Sequence, residues 1–185
     1  MGKMKRVAKW LLSLVVLILL IPVGCFLVYA TSVFLPNKSA IDQIINDAGF
    51  EDRHPPANVQ ALIRASLTTE QKPSGYVAKL LLFKFRANER GVVQHWLLQW
   101  AAWAVMVELV YDESAVYSLF CTLVSDGKHQ GLNGMSSHMF NKPLSDLTLG
   151  ESAQLLAYTG GPNMYRNNPE RLQAAKARLL ERINP

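Results

Sequence analysis

Residues 140–183 read FNKPLSDLTLGESAQLLAYTGGPNMYRNNPERLQAAKARLLERI. The stretch is punctuated as two helices with a break between them. Thr148 and Glu151 stand three apart in a T-x-x-E capping box, in which each side chain satisfies a backbone N–H that the first helical turn leaves unpaired. Gly160-Gly161-Pro162 stops that helix, since glycine suits a helix end and proline cannot continue one. Asn168-Pro169 opens the next, with proline at the first helical position and Glu170 in the first turn, where the helix dipole favours a carboxylate.

The same signals recur upstream. DESAVYSLFCTLV has helical spacing with Asp112 placed as its cap, SDGKHQGLNG is a Gly-rich loop, MSSHMF a short helix and NKPLSD a turn. VVQHWLLQWAAWAVMVELVY is apolar nearly all round: from Leu97 to Val110 only Gln99 and Glu108 are polar. A run of about 14 residues is too short to cross a bilayer, so it predicts a buried central helix. Trp96, Trp100 and Trp103 share one face of it, either as core packing or as an aromatic stripe at a membrane interface. YVAKLLLFKFRANE fits a helix or a strand, and TTEQKPSG is a loop. ANVQALIRASL resumes helical spacing after Pro55-Pro56, and SAIDQIINDAGFEDRH has the spacing of an amphipathic helix that Ser39 could cap. No alternating strand pattern and no repeat recurs, so the expected class is all-α.

The N-terminus differs in kind. Lys3, Lys5, Arg6 and Lys9 precede an uncharged run from Trp10 to Pro36. About 24 helical residues at about 1.5 Å each give roughly 36 Å, enough for a hydrocarbon core of about 30 Å. Val28-Tyr29-Ala30 resembles a signal-peptide cleavage site, but the run exceeds the roughly 7–15 apolar residues of such a peptide. The expected organisation is a basic tail (1–9), a transmembrane anchor (10–36) and an exported domain (37–185). Four cations before the span and only Lys38 soon after it place the tail in the cytoplasm.

Of 19 Lys and Arg against 14 Asp and Glu, setting the four tail cations aside leaves 15 against 14. A nearly neutral domain argues against a nucleic-acid partner. Cys25 and Cys121 lie in separate apolar runs and do not suggest a disulfide; the four histidines, His54, His95, His129 and His138, are scattered and form no metal-ligand pattern. Neither a metal nor a cofactor is expected.

The 140–183 stretch resembles the end of a family 51 glycosyltransferase domain, the lysozyme-like helical peptidoglycan polymerase of class A penicillin-binding proteins and monofunctional transglycosylases. The family pattern reads YFGK…LTLAEAALLAGLPQAPxxYNPxxNPERAxxRRxxVL. Phe140, Lys142, Leu147-Thr148-Leu149, Glu151, Ala153, Leu155-Leu156, Pro162, Tyr165 and Asn168-Pro169-Glu170-Arg171 match in order and spacing. GLNGMSSHMFNKP parallels GVEAAARYYFGKP, and Glu108, Tyr111, Leu119 and Val124 fall in register with ERRYSKDEILELYLNTV. The likeness is strong over 108–182 and weak before it. It implies a periplasm-facing domain on the bacterial inner membrane, acting on lipid II or peptidoglycan glycan, or partnering cell-wall synthesis proteins.

Such enzymes use one glutamate to deprotonate the attacking sugar hydroxyl and a second, with basic or metal-bound help, to release the lipid pyrophosphate. The first lies in an E-D-x-x-F-x-x-H-x-G motif. Here EDRHPP offers Glu51, Asp52 and Arg53 without the Phe and Gly. The resemblance implies Glu51 as the base and Asp52, Arg53, Lys142 and Glu151 as substrate-binding groups. The G-G-S-T-I-T-Q-Q-L-x-K-N motif would fall at SGYVAKLLLFKF, keeping only Gly75, Leu82 and Lys84. The R-K-x-K-E motif would fall at WLLQW, placing Trp100 where the second glutamate belongs. An indole accepts no proton and pairs with no pyrophosphate. The expected function is therefore a non-catalytic, membrane-anchored member that binds glycan, lipid-linked precursor or a cell-wall partner. The alternatives are an active glycosyltransferase using Glu51 and a structural subunit of a membrane complex.

Overall fold

In a computed structural model of the chain, the described residues are 10, 17, 18, 20–67, 72–86 and 95–183. The basic tail at 1–9 and part of the loop expected at 68–75 lie outside them. All the named elements are helical, and the one β-type pairing among the described residues is an isolated bridge between Ser125 and Gln130.

The chain divides into two compact units, Met1–Ser39 and Ala40–Pro185. In the first, apolar residues from Leu20 onward belong to a helix, α1 (Leu20–Asp47), which is long and apolar enough to cross a membrane. Ser39 lies inside α1 and caps nothing, because the apolar run and the amphipathic segment after it are continuous helix.

The second unit continues with α2 (Phe50–Arg53), α3 (Ala57–Ser66), α4 (Pro73–Arg86), α5 (Trp96–Val110) and α6 (Glu113–Leu123). After them come α7 (Leu132–Phe140), a 3-10 turn (Leu144–Asp146), α8 (Leu149–Thr159), α9 (Pro162–Arg166) and α10 (Pro169–Ile183). Of the segment that fits a helix or a strand, residues 76–86 are helical, and 87–89 lie outside the described residues. The expected punctuation is present: Asp112 accepts from the Ala115 N–H at 2.8 Å, both halves of the Thr148–Glu151 capping box form, and Pro169 starts α10.

The core is built on α6, where Val116, Tyr117, Leu119, Phe120 and Cys121 are buried. Helices α4 and α2 pack against it, α5 lies along α4, and α8 packs against both α3 and α10. Leu62 and Ile63 of α3, Leu81 and Leu82 of α4, and Leu155 and Leu156 of α8 complete the interior. Each fully buried aliphatic side chain of this kind contributes about 1.5–3 kcal/mol.

The expectation of a buried central helix at 96–110 is corrected. Only Trp103, Met106 and Val107 of α5 are buried, whereas Leu97, Leu98 and Leu109 are each more than 70% exposed. A helix apolar on every side has no pattern to mark its inner face. Here α4 supplies one neighbour, and only the stripe toward it is covered.

Candidate functional site

The Glu51-Asp52-Arg53 triplet occupies the single turn α2, and each side chain has a defined structural partner. Arg53 turns back onto the end of α1: its Nε donates to the Ile45 carbonyl at 3.1 Å, and its Nη2 donates to the carbonyls of Asn46 and Ala48. The last carbonyls of a helix lack intrahelical partners, and a guanidinium fork can satisfy several at once. Glu51 takes Ser145 with both oxygens, accepting from its N–H at 2.9 Å and from its hydroxyl at 3.0 Å.

Asp52 sits at the start of α7. It accepts from the Asn133 N–H at 2.8 Å and is only 9% exposed. Gly131 makes this approach possible. Its φ is 80°, and a Cβ there would stand 2.5 Å from Asp52 Oδ2. Burial pushes the Asp52 carboxyl up to about 6, against hydrogen bonds from the Asn133 and Leu132 backbone that favour its charged form.

Lys142 and Glu151 also meet, at 2.8 Å. Asn141, in the left-handed region at φ 55°, ends α7 and turns the chain toward Lys142, a conformation asparagine tolerates better than most residues. Glu151 is shared between Lys142 and Thr148, whose N–H and hydroxyl both donate to Oε2. Lys142 and these donors hold its carboxyl down to about 2. Asn133 accepts from the Leu144 N–H at 3.1 Å, and Ser136 donates to the Lys142 carbonyl at 2.7 Å. Four of the five sequence-derived candidates therefore lie on one clasp joining α2, α7, the 3-10 turn and α8, while Arg53 closes the end of α1.

Glu108, which also falls in register with the family pattern, pairs with Lys72 at 2.5 Å. It borders a cavity of about 380 Å³ with Ser74, Tyr111, Asp112 and Glu113, and Glu51 is not among its lining residues. These two glutamates do not share that cavity.

Trp100 has a different setting. Its indole N–H donates to the Gly75 carbonyl at 2.7 Å, and the ring edge lies 3.5 Å from where a Gly75 Cβ would stand. Beside it is a concavity of about 250 Å³ lined by Gly75, Tyr76, Lys79, Trp96, Leu97 and Trp100. The lining offers two indoles, a phenol and one exposed ammonium, with no carboxylate. The tryptophan stripe thus faces α4: Trp96 packs on Phe83 with ring centroids 5.0 Å apart, and Trp103 stacks on Phe85 at 6.3 Å.

Chemically, the concavity can stack a sugar ring or another flat apolar surface on indole and pair Lys79 with an anion. It holds no group able to act as a carboxylate base. The Trp spacing was the sequence signal for one wall. Lys79 and Tyr76 were not identified, because they come from α4, whose helical state the periodicity left undecided. No family model matches the chain, and no curated protein matches it.

Proposed function

We propose that this chain is a membrane-anchored, non-catalytic relative of the family 51 peptidoglycan glycosyltransferases that binds glycan or a lipid-linked glycan precursor. In this reading the exported domain is lysozyme-like and faces the periplasm, and α1 supplies the single span. The observation that carries the proposal is the concavity beside Trp100. Where the resembling motif would present a glutamate and basic residues, this chain presents indole, and the nearest cation in the lining is Lys79. A pyrophosphate-linked sugar offers what such a surface recognises: ring faces for the indoles and an anion for the ammonium.

The state of Glu51 supports the same reading. Both of its oxygens are engaged by Ser145, so it acts as a fastener between α2 and the 3-10 turn. The experiment is to give the purified protein lipid II in detergent and separate the products by length. No polymer is expected from the unmodified chain or from Trp100→Glu. Restoring one carboxylate leaves the neighbouring basic and hydroxyl groups missing, and each such group commonly contributes about two orders of magnitude. Polymer made by the unmodified chain and lost in Glu51→Gln would establish a working transferase instead.

A further inference from the structure

Leu97, Ala101, Val105 and Leu109 recur at four-residue intervals along α5, with Leu98 three before Ala101, so they form one stripe of about 18 Å at roughly 1.5 Å per residue. The exposures are 71% for Leu97, 74% for Leu98, 47% for Val105 and 72% for Leu109. Phe83 of α4, 54% exposed and packed against Trp96, widens the surface beyond the helix itself. A run of exposed aliphatic side chains along one helix face of a folded domain marks a contact with something apolar.

We infer that this face of α5 lies in the surface of a lipid bilayer, as a second membrane contact besides α1. The inference rests on the proposed anchoring by α1, which keeps the domain close to a membrane. Three further features select lipid. The stripe is too short to span a bilayer, yet has the length and apolar composition of a helix lying in the interfacial plane. At its edge stand Trp96, an aromatic suited to the headgroup boundary, and the exposed Lys79, which complements anionic headgroups. Among the described residues of α5 the one acidic side chain, Glu108, lies within this arc and pairs with Lys72 at 2.5 Å, so its charge meets the headgroup region as an ion pair. The concavity beside Trp100 includes Leu97 and so opens at the border of this face.

The full chain, reconstituted into vesicles of phosphatidylethanolamine and phosphatidylglycerol, gives the test. A spin label on Cys25 reports the anchor; in a Cys25→Ser background, labels on Leu98→Cys and Leu109→Cys report the face, and one on Gln173→Cys an exposed position on α10. Cys121 is fully buried and stays unlabelled. Expected are labels at 25, 98 and 109 relaxed by lipid-dissolved oxygen and shielded at least several-fold from an aqueous nickel chelate, with 173 the reverse. Nickel access at 98 and 109 equal to that at 173, with 25 still in lipid, would overturn the inference and leave the anchor standing. Nickel access at 25 would overturn both. Labels at 98 and 109 shielded from both reagents and broadened by one another would assign the face to a second copy and overturn the lipid contact.

Discussion

At Asp52 the fold holds a carboxyl at a helix start under nearly complete cover, and the balance between burial and hydrogen bonding sets its proton affinity. Its folded-state pKa of about 6 exceeds the ordinary 3.8. The native state therefore binds the proton more tightly than the unfolded chain, so this group's contribution is fully present below about pH 4 and is lost as the pH rises to about 6. The size is on the order of 2–3 kcal/mol. Glu151 works in the opposite sense, because Lys142 and Thr148 hold it down to about 2; its contribution is lost as the pH falls from about 4 toward 2. Asp52→Asn keeps an acceptor for the Asn133 N–H. It should flatten the pH 4–6 slope of the unfolding free energy and leave the pH 7 protein at least as stable, as read by denaturant titration across that range. Gly131→Ala should cost more than 1 kcal/mol in the same titration, since it combines a positive φ with a Cβ driven onto Asp52. The sequence displayed the Glu51-Asp52-Arg53 triplet but not its use: Ser145 and Asn133 lie 94 and 81 positions away, beyond any local pattern.

At the scale of elements, what was legible was local. The Thr148–Glu151 box, the Asp112 cap and Pro169 at the head of α10 are interactions within one helical turn, and spacing alone is enough to read them. Thr148→Ala should lower stability by about 1 kcal/mol. Helix α5 was legible as a helix but not in its orientation, because uniform apolarity hides which stripe is covered. That distinction can be tested by thermal melting of the detergent-solubilised chain. Val107→Asp puts a carboxylate into fully buried surface and should cost about 3–5 kcal/mol, comparable to a marginal domain's whole stability. Leu98→Asp, at a position 74% exposed, should leave the melting temperature within a few degrees of the parent. Equal collapse of both variants would mean that α5 is enclosed.

At the scale of the whole molecule, the all-helical class and an N-terminal helix of membrane-spanning length both followed from hydrophobic patterning. The concavity beside Trp100 did not, since it needs α4 laid against α5. The proposed periplasmic reading predicts that a reporter fused after residue 185 reads out on the outer side of the cytoplasmic membrane; cytoplasmic activity would contradict it. The central claim is that the indole-and-lysine concavity binds a lipid-linked glycan without processing it. Its most direct measurement is an equilibrium titration of the purified full chain with lipid II in detergent, followed by tryptophan emission. The account predicts a saturable change that weakens about tenfold in Lys79→Ala and persists in Glu51→Gln. A titration unaffected by Lys79→Ala but abolished by Glu51→Gln would contradict it.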